Sequence, residues 1–162
     1  MSEFIDYVRS LPKAELHLHI EGTLEPSMLM ELAKKHQVDL PYSTAADVER
    51  AYDFEDLQSF LDLYYLGASV LIDEDDFYSL MFRYLERCRD EGILHTEMMF
   101  DPQTHTERGI GFSVFMRGFG RAIEDAKGQW GQSSSLIMCF LRHLPEESAF
   151  ETLKAAEPFK SQ

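Results

Sequence analysis

The stretch Ala14-Glu15-Leu16-His17-Leu18-His19-Ile20-Glu21-Gly22 limits the possible folds of this chain more than any other. Side chains alternate between the two faces of a β-strand. Leu16, Leu18 and Ile20 are therefore expected on one face, with Glu15, His17 and His19 on the other. An apolar back and an imidazole-bearing front suit a strand of an α/β barrel, where one side meets helices and the other a reaction chamber. Imidazoles at i and i+2 project from the same side and can reach one metal ion. A catalytic zinc takes three or so protein ligands and keeps a position open for water. This stretch has two. A His-x-His pair also arises by chance, so metal binding depends on what the rest of the chain contributes.

Two more strands are expected. Leu94 to Phe100 alternates His95, Glu97 and Met99 with Thr96, Met98 and Phe100, and Gly92 fits the end of the preceding helix. Ser135 to Leu141 is a continuous run of the kind buried on both faces of a parallel sheet. The connections are long and helical. Pro26 opens a helix carrying Met28, Leu29, Leu32 and Ala33, and Phe112 to Lys127 forms another. Between Asp47 and Gly92 two stripes are expected in the core: Leu57, Phe60, Leu61, Tyr64 and Tyr65, then Phe77, Leu80, Met81, Tyr84, Leu85 and Cys88. A last helix begins near Glu146, with Phe150 and Leu153 inward. Three strands joined this way are the start of an α/β barrel. Residues 1–162 are expected to be one incomplete domain, since a whole TIM barrel takes about 250 residues.

Other features carry less. The loop from Asp101 to Gly111 is a candidate rim, with His105 solvated or, as the alternative, touching substrate; His36 reads as a surface residue, and His143, just past the third strand, has no role assigned. Asp73-Glu74-Asp75-Asp76 lacks the Gly and Glu of a calcium loop and reads as an acidic helix start. Gly109-Ile110-Gly111 lacks the third glycine of a dinucleotide fingerprint. The net charge of −14 argues against a nucleic-acid partner and an anionic membrane surface, both of which need a Lys/Arg footprint. Cys88 and Cys139 are read as free thiols of a cytoplasmic protein, with a disulfide left open.

The segment Leu11-Pro12-Lys13-Ala14-Glu15-Leu16-His17-Leu18-His19-Ile20-Glu21-Gly22-Thr23-Leu24-Glu25-Pro26 resembles the amino-terminal signature of the adenosine and adenine deaminases. Glu97-Met98-Met99-Phe100-Asp101-Pro102-Gln103-Thr104-His105-Thr106-Glu107-Arg108-Gly109-Ile110 looks most like the adenine deaminase branch. The resemblance implies a zinc aminohydrolase on a TIM barrel, with zinc activating water and a Glu shuttling protons while a purine loses its exocyclic amine. His17 and His19 match the first two zinc ligands, and the region of the two stripes between Asp47 and Gly92 also helps wall the purine pocket in such enzymes. The third His, the ligand Asp and the proton-shuttling Glu belong to the second half of such barrels, so no catalytic acid or base is expected among these residues. Glu21 stands where adenosine deaminases have an Asp that binds ribose. Its extra methylene would crowd a nucleoside and suit free adenine, unless it is merely a loop carboxylate. The expected activity is adenine deamination in purine salvage by the full-length parent, with this chain alone inactive; adenosine is the alternative substrate. A metal-dependent phosphoesterase and a non-catalytic, self-associating half barrel are the readings from other classes.

Overall fold

This computed structural model describes residues 2–160. A three-stranded parallel sheet in the order β1-β2-β3 is formed by β1 (Lys13–His19), β2 (Ile93–Phe100) and β3 (Ser133–Met138). Helix α1 (Ser2–Ser10) precedes the sheet. Helices α2 (Pro26–His36), α3 (Ala45–Arg50), α4 (Leu57–Ala68) and α5 (Glu74–Asp90) connect β1 to β2. Helices α6 (Pro102–Thr106) and α7 (Phe112–Trp130) connect β2 to β3, and α8 (Glu146–Ala156) follows. Thr44, Asp56 and Asp73 each accept a backbone N–H three residues on, closing capping boxes that start α3, α4 and α5. Among the described residues no helix is long and apolar enough to cross a membrane.

The core lies between the sheet and the α5/α7 pair. Phe77, Leu80, Met81, Tyr84, Leu85 and Cys88 are all buried there, as their helical spacing predicts. Thr96, Met98 and Phe100 of β2 meet them from the sheet, and Phe77, Phe100, Phe115 and Phe119 pack mostly edge to face. The two helices come closest at Gly118, where a Cβ would lie 2.6 Å from the Glu74 carbonyl oxygen.

Several expectations are corrected. The alternation along β1 is broken: Glu15 pairs with Thr96 and Leu18 with Met98, so β1 carries one extra residue between these pairs. This bulge turns Glu15 and Leu18 to the same side and leaves Leu16 54% exposed. The strand ends at His19; Ile20 and Glu21 sit in a 3-10 turn, Ile20–Thr23, and both are buried. β3 starts and stops earlier than its apolar run, and Ile137 is 37% exposed, because the sheet face opposite the helices is open. Phe150 and Leu153 of α8 are exposed, and Thr152 takes the buried position. The expected loop after β2 is instead α6, with Pro102 at its first turn, where the missing N–H costs nothing. In the α4 stripe, Leu57 and Phe60 are exposed and Tyr64 and Tyr65 half-buried, so that stripe is a wall and not core.

Candidate metal and purine site

Parallel strands present their C-terminal ends together, and a residue just past each end can share one chamber. Here those residues are His19 at the end of β1, Asp101 after β2 and Cys139 after β3. Register aligns them: His19 pairs with Met99 and Met99 with Ile137, so Asp101 and Cys139 are each two residues further on the same face. The Cys139 N–H continues the ladder, donating to the Phe100 carbonyl at 2.9 Å. These residues and His17 line a cavity of about 660 Å³. Phe60, Tyr64 and Tyr65 of α4 wall it on one side, and Arg142 and His143 line it after β3. His143, without a role on sequence grounds, is thus at the site.

His17 and His19 are on one side of β1, with ring centroids 6.5 Å apart. His19 Nδ1 lies 2.9 Å from Asp101 Oδ2. That contact places the ring proton on Nδ1 and leaves Nε2 free as a ligand, the arrangement found behind most metal-bound histidines. The pair therefore fits the zinc that the sequence resemblance implies.

Glu21 lies behind this chamber. Its side chain is fully buried, and it lines an adjoining cavity of about 270 Å³ that is shared with Tyr64 and Phe60. Its Oε1 accepts the Asp101 N–H and His105 Nε2–H, each at 3.0 Å. The Tyr64 hydroxyl lies 2.9 Å from Asp101 Oδ2 and 3.2 Å from Glu21 Oε2. Burial pushes the Glu21 carboxyl up, but the hydrogen bonds from His105 and the Asp101 N–H outweigh it and hold the group below its ordinary value. Burial and the two carboxylates raise the Tyr64 phenol far above the usual range, so it stays a donor.

His105 is corrected from a solvated rim residue to a fully buried one. Its ring meets the Phe77 ring edge-on at 4.9 Å. Arg108 Nη2, which can only donate, lies 3.0 Å from Nδ1 and fixes the proton on Nε2, toward Glu21. His36 is likewise no free surface residue: its Nε2 lies 2.7 Å from Asp76 Oδ2, and its side chain is 14% exposed. Lys35 bonds both Asp73 and Asp76, so this second imidazole–carboxylate cluster is satisfied internally and ties α2 to α5. Both cysteines are free. Sequence reasoning missed Asp101 and Cys139 as site residues, and gave Tyr64 only as part of a stripe in the region that walls the pocket of similar enzymes. The position of Asp101 directly after the second strand was an available signal; Cys139 fell inside the expected third strand, which ends at Met138 instead.

A sequence model of the family described as Adenosine deaminase matches residues 12–162. An adenine deaminase of Hahella chejuensis is 56% identical over 155 residues, covering 96% of this chain and 46% of that protein. A crystal structure of an adenine deaminase from Arthrobacter aurescens superposes with a TM-score of 0.88 at 43% identity, covering 92% of this chain and 46% of that one. An amidohydrolase from Burkhoderia ambifaria with bound Zn has the same fold at 18% identity, with a TM-score of 0.86 over 98% of this chain and 43% of that one. The chain spans about half the length of the relatives it matches.

Proposed function

Because this chain belongs to the adenosine deaminase family, we propose that it serves the hydrolytic deamination of free adenine to hypoxanthine and ammonia. The observation that carries the reading is the His19–Asp101 pair, at the ends of adjacent parallel strands, beside His17 in a cavity large enough for a purine. His17 and His19 would hold the zinc, and Asp101 fixes the ring of His19 in place. A zinc ion supplies an activated water nucleophile near neutral pH. Two imidazoles fall short of a catalytic ligand set. The remaining ligands and the proton-shuttling acid are assigned to residues outside these 162, in a cytoplasmic enzyme.

Preference for the base over the nucleoside is assigned from the likeness to adenine deaminases, among them that of Hahella chejuensis at 56% identity over 155 residues.

The test is ammonia release from adenine and adenosine by the protein isolated from its own cells, with its intact mass measured on the same preparation. Adenine turnover is expected from a species heavier than the 162 residues, and none from the zinc-supplemented 162-residue chain. Preferential turnover of adenosine overturns the base assignment. Turnover by the 162-residue chain overturns the division of the ligands.

A further inference from the structure

We propose that His105 and Arg108 are positioning residues for the purine, acting through Glu21; the proposal rests on Glu21 meeting the substrate. Neither residue lines the chamber or the cavity beside it. The His105 ring is caught between Phe77 and Phe115, with centroid separations of 4.9 and 5.4 Å. Packing fixes where the ring lies, but not which nitrogen carries its proton. Glu21 needs that proton on Nε2, because a bare nitrogen lone pair facing a buried carboxylate oxygen leaves the acceptor unmet. Arg108 settles the matter from the other side of the ring. Its Nη2 donates to Nδ1 at 3.0 Å, so Nδ1 accepts and Nε2–H points at Glu21.

The guanidinium is itself held in place. Its Nε donates to the Thr104 carbonyl at 3.1 Å, Nη1 to the Ser69 carbonyl and Nη2 to the Leu71 carbonyl, each at 3.0 Å. These acceptors belong to α6 and to the connection between α4 and α5, so one planar fork joins two segments and still reaches His105. A lysine, with a single ammonium on a flexible stem, cannot make that set of bonds. Glu21 receives the result. Its Oε1 takes the His105 Nε2–H and the Asp101 N–H, each at 3.0 Å, and two rigid donors on one oxygen fix the carboxylate. A group held in advance has no rotamer freedom to lose when substrate arrives, and that saving appears as affinity.

Nitrogen NMR of the 162-residue chain tests the first link. The His105 ring is expected to show a protonated Nε2 and an unprotonated Nδ1, with the Nε2 proton exchanging slowly. Arg108 is exposed, so Arg108→Met removes the donor without opening the core, and should speed that exchange about tenfold or more. A proton on Nδ1, or exchange unchanged in Arg108→Met, overturns the proposal. The second link is read in the full-length enzyme. Arg108→Met and His105→Leu should each raise KM for adenine about tenfold with kcat little changed, the mark of lost ground-state binding. His105→Gln, whose amide can still donate to Glu21, should recover most of the loss. If His105→Leu fails to fold, Arg108→Met decides alone. A KM raised by Glu21→Gln but unmoved by Arg108→Met overturns the positioning role. A KM unmoved by Glu21→Gln overturns instead the placement of Glu21 at the purine.

Discussion

His105→Ala is expected to destabilise the chain by about 3–5 kcal/mol, a large part of the 5–15 kcal/mol typical of a domain. The residue is fully buried between Phe77 and Phe115, and its Nε2–H donates to a carboxylate that is equally buried. Truncation opens a cavity against the aromatic cluster and takes from Glu21 Oε1 one of its two donors. Arg108 would also lose the Nδ1 acceptor, though it keeps the Thr104, Ser69 and Leu71 carbonyls. Urea unfolding measures the cost. Pairing with Glu21→Gln separates its parts: once the charge is gone, removing His105 should cost about 1–3 kcal/mol less, a coupling typical of residues in one hydrogen-bond network. Additive effects would mean that the two side chains do not act on one another.

Gly118→Ala is the second large effect. A Cβ there would lie 2.6 Å from the Glu74 carbonyl oxygen, 2.7 Å from Phe77 Cβ and 2.9 Å from the Tyr78 nitrogen. These are backbone atoms and the root of a side chain, none of which can swing aside, so α5 and α7 must separate. Alanine gains about 1 kcal/mol over glycine in helix propensity. Overpacking of about 1–3 kcal/mol or more opposes that gain and disturbs the layer that packs on β2. A lowered unfolding midpoint, or with valine a failure to fold, is the expected result. An unchanged or raised midpoint would show that the helices have slack at their crossing. Gly128, on the same helix, has nothing within 4 Å of its Cβ position, and its alanine variant should be neutral or stabilising.

The same contrast explains what could be read from the sequence. The α5 stripe and the two faces of β2 follow from local periodicity, and both appear as their spacing predicts. His17 and His19 could be placed on one side of a strand because a period of two needs no distant information. The environment of His105 depends on Glu21, 84 residues away, and no local pattern encodes that contact. Leu16 was misplaced because a bulge shifts the register by one residue, which reverses every facing on one side of it. The α4 stripe has a helical period whether it covers a core or walls a chamber, so periodicity alone could not separate the two. Asp101 and Cys139 became site residues only once strand order and register were known.

The most direct test of the account is zinc affinity, measured by competition with a chromophoric chelator, for the unmodified chain, His19→Ala and His36→Gln. Among the described residues, two groups bring a histidine together with two further metal-ligating side chains, His19 with Asp101 and Cys139 and His36 with Asp73 and Asp76, and only the one at the strand ends is assigned to the metal. Loss of a partner one step removed from a metal costs 10- to 100-fold, so loss of the His19 ligand should cost about 100-fold or more. His36→Gln should leave the affinity unchanged. Zinc retained in His19→Ala, or lost in His36→Gln, would contradict the assignment of the metal to the C-terminal face of this sheet.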